Sequence, residues 1–382
     1  MSQTQLENAR LVLPTSVVDS ALLIEDGVIK AIGSDAPDGA QTIDCEGDLL
    51  IPGLIDIHTD NLEKHYMPRP GAQWDPAGSA MAHDGQMATA GVTTVFDSLS
   101  LSGRKNGLDR GEAMRGMIAG LDEADEAGGL RIDHLLHLRC ELTNPDITDL
   151  VEPQLDYARL KLLSVMDHTP GGNRQSGGME KWRNKQLAQG KTEEEIEAHL
   201  EAMMSWRDLE GVDARRRWVV EHGNQNGIPV ASHDDRTEEH VDLAHKLGCQ
   251  IAEFPVSDEA AAAAKKRNMV TVMGSPNFVR GKSHGDNASA RAVAEAGHLD
   301  ALCSDYVPLS MLRAAFMLHE PPFSWPLEKA IGTVTQQPAN ITLLTDRGTL
   351  EAGKRADLVR VRYRAGHWPI VQEVWTQGRR VV

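Results

Sequence analysis

The chain has 382 residues, 41% hydrophobic and 25% charged with only 4% aromatic side chains, fractions that exclude a disordered chain, a collagen-like repeat and a coiled coil. Lys and Arg total 39 against 56 Asp and Glu, a formal charge of −17. Such a surface repels nucleic acid and anionic membranes, but it admits an anionic small molecule wherever a cation or local basic cluster reverses the field.

The first fifty residues read as short strands: ARLVLPTSVV, ALLIEDGVIKAIG and AQTIDCEGDLLIPG alternate apolar residues with glycine punctuation. The opening MSQTQLENAR lacks a basic start and apolar block, and no apolar run approaches the roughly 20 residues of a membrane span, so a cytoplasmic location is expected. Between about Leu54 and Leu344 come LIDIHTD, VTTVFDSLS, HLLHLRCEL, LLSVMDHTP, PVASHDD, IAEFP, MVTVMGSP and ALCSDYVP. Helical patterns separate these runs, among them Asp109 to Ala127, Thr237 to Leu247 and Asp258 to Arg267. Eight β/α repeats predict a TIM barrel with its site at the carboxyl ends of the strands. A doubly wound open sheet is the structural alternative, and the missing GxGxxG argues against a dinucleotide reading of it.

The last stretch, GTLEAGKRADLVRVRYRAG and WPIVQEVWTQGRRVV, returns to β texture. The expected division is a small β domain from residues 1–52 and 348–382 and a barrel from residues 53–347. One insertion, at about 171–219, starts GGNRQSGG and continues into a charged helical block. Thr192 with Glu195 forms a capping-box pattern there, opening a helix with Ile196, Leu200, Met203 and Met204 on related turns. This insertion reads equally as an exposed hairpin and as a lid over the site. Cys45, Cys140, Cys249 and Cys303 form no CxxC pair, which excludes a zinc ribbon and leaves buried thiols as the expectation.

His58 and Asp60 stand two apart in LIDIHTD, so both project from one face of their strand. Glu141, His168, His233 and Asp305 close four further strands. Six such groups at the ends of five strands predict a centre for two divalent ions, with Glu141 bridging them and a modified Lys161 as its rival. Zinc is the first candidate, and manganese or iron suit the same ligands. His65, His83, His134, His137, His222, His240 and His245 lack that positional support, His134 and His137 reading as interior groups. Basic residues recur in the loops on this side: Lys64, Arg69, Arg104, Arg174, Arg280 and Lys282, with His284 beside them. Guanidinium forks and ammonium charges are what a polyphosphate requires.

GDLLIPGLIDIHTD resembles the entry strand of the amidohydrolase superfamily, and TQQPANITLLTDRGTLEAGKRADLVRV resembles its return into a small β domain. The resemblance covers nearly the whole chain and implies a distorted (β/α)8 barrel with a β-sandwich-like domain built from both termini. Asp60 departs from the usual pair of histidines. HTDNLEKHYMPRPGAQW, HLRCE, MDHTPG, ASHDD and MGSPNFVRGKSHGDN are similar to a branch that hydrolyses a ribosyl triphosphate, alpha-D-ribose 1-methylphosphonate 5-triphosphate, to its 5-phosphate and pyrophosphate in phosphonate catabolism. That likeness implies Asp305 as both metal ligand and general base. The alternatives are a metal-dependent amidohydrolase acting on a cyclic amide or N-acyl substrate, and a metal-binding scaffold without activity. A homodimer is the expected assembly.

Overall fold

The computed structural model describes residues 3–105, 108–170, 178–281 and 287–382. The chain opens with β1 (Gln3–Val12), β2 (Val17–Glu25), β3 (Val28–Ile32), β4 (Gln41–Asp44) and β5 (Leu49–Pro52). One residue later it enters a second sheet at β6 (Leu54–Thr59), followed by β7 (Val92–Ser100). A two-residue hairpin, β8 (Arg104–Lys105) and β9 (Leu108–Asp109), precedes β10 (Asp133–Glu141) and β11 (Leu160–Met166). The second sheet continues through β12 (Val230–His233), β13 (Ile251–Glu253), β14 (Val270–Gly274) and β15 (Ala301–Cys303). The chain then returns to the first sheet as β16 (Leu358–Arg362), β17 (Ile370–Thr376) and β18 (Arg379–Arg380).

The eight strands read from the sequence pair in parallel in the order β6-β7-β10-β11-β12-β13-β14-β15. A parallel bridge between Thr59 and Asp305 closes β15 onto β6, so the sheet is a barrel. Its strands are buried on both faces, as helix-covered parallel strands must be. Ile55, Ile57, Phe96, Leu162, Val272 and Ala301 fill the interior. The covering helices start where side chains satisfy their free N–H groups. Asp109 caps Arg110–Glu126, Thr237 caps Glu238–Leu247 and Ser257 caps Asp258–Lys266. The first sheet joins both ends of the chain in the order β18-β17-β16-β5-β1-β2-β3, with β4 on β1, around Leu6, Leu22, Ile29, Leu50 and Trp375.

Between β11 and β12 run helices Gly178–Ala188, Glu193–Met204 and Val212–Gln225. The capping box forms: the Thr192 side chain takes the Glu195 N–H, and the Glu195 carboxylate takes the Thr192 N–H. Only Ile196 of its apolar positions is fully buried. The third helix buries Val219 and Val220 in the barrel's outer shell, so the expected insertion runs into a helix of the barrel itself. All four cysteines are buried. Among the described residues, no helix is long and apolar enough to cross a membrane.

Candidate metal centre

The centre starts from an irregularity in β6. Asp56 pairs with Val95 but Thr59 pairs with Asp97, so β6 carries one extra residue over this step. A bulge re-aims the side chains around it, and His58 turns into the mouth of the barrel. Its ring lies 4.8 Å from Phe254 and 5.8 Å from the near-parallel ring of His233. Asp305 is held beside it by the backbone: its N–H donates to the His58 carbonyl at 2.9 Å, and its carbonyl accepts the Asp60 N–H at 2.8 Å.

Two groups of ligand-type atoms result, each within 4.8 Å: His58, Asp60 and Asp305, and His168, His233 and Asp234. Asp234 follows the strand-end histidine directly. Its backbone, like that of Asp305, sits in the left-handed region, at φ 59° and 54° respectively. Aspartate tolerates that conformation better than most residues, and there it swings the carboxylate back over the strand end. Glu253, the last residue of β13, joins the groups: Oε1 lies 2.7 Å from His58 Nδ1 and Oε2 lies 2.6 Å from His233 Nδ1.

This donor set fits divalent cations, because each group mixes imidazole nitrogen with carboxylate oxygen. Both Glu253-bound rings turn Nε2 toward a carboxylate of their own group, Asp60 for His58 and Asp234 for His233. Electrostatics agree. Burial opposes charge on His168, yet Asp234 and Glu141 raise its pKa to about 9. The two carboxylates stay ionised and favour positive charge at this ring, whether it is the ring's own proton or a metal cation that displaces that proton.

Glu141 stands to one side of these groups. Its carboxylate accepts from Thr143 Oγ1 at 2.7 Å and Arg207 Nη1 at 3.1 Å, and it lies 3.4 Å from His168 Nδ1. Lys161 is exposed near the start of β11, at the opposite end of the strand from the site. His137 lies deeper, with Nε2 on Ser164 Oγ at 2.8 Å and Nδ1 facing the Ile57 carbonyl at 3.1 Å.

A cavity of about 650 Å³ adjoins the centre and shares Asp60, Glu141 and His168 with it. Three guanidiniums line it: Arg110, Arg139 and Arg207. Each is paired with a carboxylate, Arg110 with Glu63 at 2.7 Å, Arg139 with Asp60 at 2.6 Å and Arg207 with Glu141. His199, Met203 and Trp206 form its outer wall, so the segment after β11 faces the cavity. Gly103 lets Trp206 seat: its φ is +68°, and a Cβ would stand 2.6 Å from the indole. A smaller cavity of about 210 Å³ holds His58, His233, Asp234 and Asp305, and Arg139 lines both.

The loop cations read from the sequence are placed differently. Lys64 Nζ reaches the Tyr306 carbonyl at 3.5 Å, and Arg280 Nη1 reaches the Tyr306 hydroxyl at 3.3 Å, so both gather on the residue after Asp305. Arg69 is exposed in a turn closed onto Ala72. Arg174, Lys282, His284 and the side chain of Arg104 lie outside the described residues. Asp234, Glu253 and Arg139 were missed, although each carried a signal. Asp234 adjoins His233 in ASHDD, Glu253 closes its strand as the chosen residues close theirs, and Arg139 lies two before Glu141 and shares its face.

A separate cluster is sealed between helix Pro76–Thr89 and strands β7 and β10. Asp97 takes His83 Nε2 and His134 Nδ1, both at 2.8 Å, and all three are buried. Asp84 of the same helix accepts the Arg131 and Ile132 N–H groups at 2.7 and 3.1 Å. With each ring held by Asp97, this network ties the helix to the sheet.

Residues 180–382 match the family model described as an amidohydrolase family. The chain belongs to that family. It is 40% identical over 385 residues to the alpha-D-ribose 1-methylphosphonate 5-triphosphate diphosphatase of Escherichia coli (strain K12), a likeness covering 98% of this chain and 99% of the relative. Solved structures of the same fold include N-acetylglucosamine-6-phosphate deacetylase from Pasteurella multocida, with TM-score 0.65, 12% identity and 99% of each chain covered. N-isopropylammelide isopropylaminohydrolase from Burkholderia multivorans matches with TM-score 0.65 and 16% identity over 100% of this chain and 98% of the other. At those identities the family likeness is one of fold alone.

Proposed function

We propose that this amidohydrolase-family chain hydrolyses alpha-D-ribose 1-methylphosphonate 5-triphosphate to the 5-phosphate and pyrophosphate, in phosphonate catabolism. The full-length likeness to the Escherichia coli diphosphatase carries this reading. The arginine-lined cavity supports it: about 650 Å³ is within the range of small-molecule sites, and three largely buried guanidiniums suit phosphate oxygens rather than an amide.

His58, Asp60 and Asp305 would hold one divalent ion and His168, His233 and Asp234 a second, with Glu141 beside the latter. Zinc, manganese or iron bound there supplies Lewis acidity and lowers the pKa of a water. Asp305 takes the water's proton at its carboxylate. Its backbone bonds to His58 and Asp60 hold that carboxylate beside the proposed ion, where a general base must stand. Arg139, between the two cavities, orients the α-phosphate for in-line attack. Arg110 balances charge on the departing pyrophosphate. Lys64 and Arg280, gathered at Tyr306, contact the outer phosphates. Trp206 and helix Glu193–Met204, whose His199, Ala202 and Met203 line the cavity, form a wall against which the substrate is confined.

Phosphorus NMR of the products tests the reading. Pyrophosphate formed from the ribosyl triphosphate, lost on chelation and regained with added metal, is the expected result. Stepwise orthophosphate, or turnover of cyclic amides instead, would overturn it.

A further inference from the structure

We infer that Glu253 is a positioning residue: it sets the ring tautomers of His58 and His233 together and so couples the two cation groups. The inference rests on the assignment of those groups to metal ions, and not on the identity of the substrate. Glu253 is 1% exposed, and each carboxylate oxygen has its own histidine, at 2.7 and 2.6 Å. An ionised carboxylate only accepts hydrogen bonds. Both rings must therefore donate Nδ1–H, and in the neutral form of each ring this leaves the lone pair on Nε2.

The Nε2 atoms face different groups. That of His58 lies 3.8 Å from Asp60 Oδ1, and that of His233 lies 3.7 Å from Asp234 Oδ1. Ligand histidines commonly have a carboxylate behind them that fixes the tautomer. Here one carboxylate stands behind two histidines that belong to separate groups. Backbone geometry supports the arrangement. His233 and Glu253 are register partners on adjacent strands, and Asp234 N–H donates to the Glu253 carbonyl at 3.0 Å. One residue thus sets the position of His233 through its side chain and of Asp234 through its main chain.

A competing use of Glu253, as a ligand itself in a site with His58 and His137, meets an obstacle. Its two oxygens are already taken by Nδ1 of His58 and His233, and both ring nitrogens of His137 have partners in Ser164 and the Ile57 carbonyl.

Glu253→Gln is the discriminating variant. A glutamine amide presents one oxygen acceptor and one NH₂ donor, so it accommodates only one Nδ1–H ring. The other ring must turn to the Nε2–H tautomer and lose its lone pair there. Nitrogen-15 NMR of histidine-labelled, metal-free protein, followed upward in pH until both rings are neutral, reads this directly, with signals assigned through His58→Gln and His233→Gln. In the unsubstituted chain both rings are expected as Nδ1–H, and in Glu253→Gln one of them as Nε2–H. Equilibrium dialysis against Mn²⁺ is expected to show affinity weakened about 10- to 100-fold. Glu253→Asp, which keeps two acceptors, should retain both Nδ1–H signals and part of the affinity. It stands in if the glutamine variant does not fold. An Nε2–H ring in the unsubstituted chain, or unchanged tautomers and affinity in Glu253→Gln, would overturn the inference. Neither readout depends on turnover, so failure here is distinct from failure of the diphosphatase assignment.

Discussion

Arg139 Nη1 donates to Asp60 Oδ1 at 2.6 Å, which puts a buried guanidinium where two cavities meet and against a candidate metal ligand. Its Nε is buried and has no hydrogen-bond partner among the described residues. Arg139→Met removes the cation while keeping much of the side-chain volume. A charge-assisted hydrogen bond is worth about 1.5–3 kcal/mol, so kcat/KM for the ribosyl triphosphate should fall roughly 10- to 100-fold or more. Steady-state kinetics check this, and an unchanged kcat/KM would remove Arg139 from the substrate site.

Asp305 is both a candidate ligand and the proposed base. Asp305→Asn should lower kcat by roughly 10²- to 10⁴-fold, the usual contribution of a general base. Urea unfolding should change little, because the backbone bonds of residue 305 to His58 and Asp60 involve no side-chain atoms. Near-normal turnover would assign the proton transfer elsewhere.

Asp97 anchors two buried histidines away from the site. Asp97→Asn leaves the buried His134 imidazolium with Asp84 alone, 3.6 Å away, and should cost about 1–3 kcal/mol for the lost charge-assisted hydrogen bond, measured by urea unfolding of the metal-loaded protein. A loss under 1 kcal/mol would show that the network is not charged.

The same cluster carries a pH signature. Burial works against charge on His134, but Asp97 and Asp84 raise its pKa from the ordinary 6.5 to about 9. A raised folded-state pKa stabilises fully below 6.5, and that contribution disappears as pH climbs to about 9. Burial holds the pKa of His83 below its ordinary value despite Asp97, so His83 works the other way and opposes folding as pH falls below 6.5. The stability lost in His134→Asn should therefore shrink between pH 6.5 and 9. A penalty that stays constant across that window would contradict the assignment.

Gly103 is required by its positive φ and by the indole packed on it. Gly103→Ala should cost at least about 1 kcal/mol and raise KM by displacing Trp206 from the cavity wall, with metal content unchanged. Thermal unfolding, kinetics and metal analysis read the three effects separately. An unaltered KM would show that Trp206 does not confine the substrate.

The barrel was legible because its determinants are local. Each strand is a short apolar stem buried on both faces, and each helix announces its start through a cap such as Asp109 or Thr237. The strand-end rule also located His58, His168, His233 and Asp305, which the structure gathers into two groups. It did not reach Glu253, on a strand of three residues, because what marks that carboxylate is its pair of histidines, 195 and 20 positions away in the sequence. Asp234 escaped for a different reason. A strand pattern places alternate residues on one face, whereas Asp234 comes back toward His233 through a left-handed backbone step.

The sequence by itself determined the order of eight strands, the ligand types at their ends and an acidic surface, all consequences of period and composition within a few residues. Tertiary structure alone decided which charges meet. It drew Arg110, Arg139 and Arg207 into the cavity while leaving Arg69 in an exposed turn, because a cation's partner depends on strand order and helix packing, and these partners lie 47, 79 and 66 positions away in the sequence. It also decided that His58 and His233, 175 positions apart in the sequence, share one carboxylate. That pairing follows from closing the sheet into a barrel, which brings its strand ends round a common mouth.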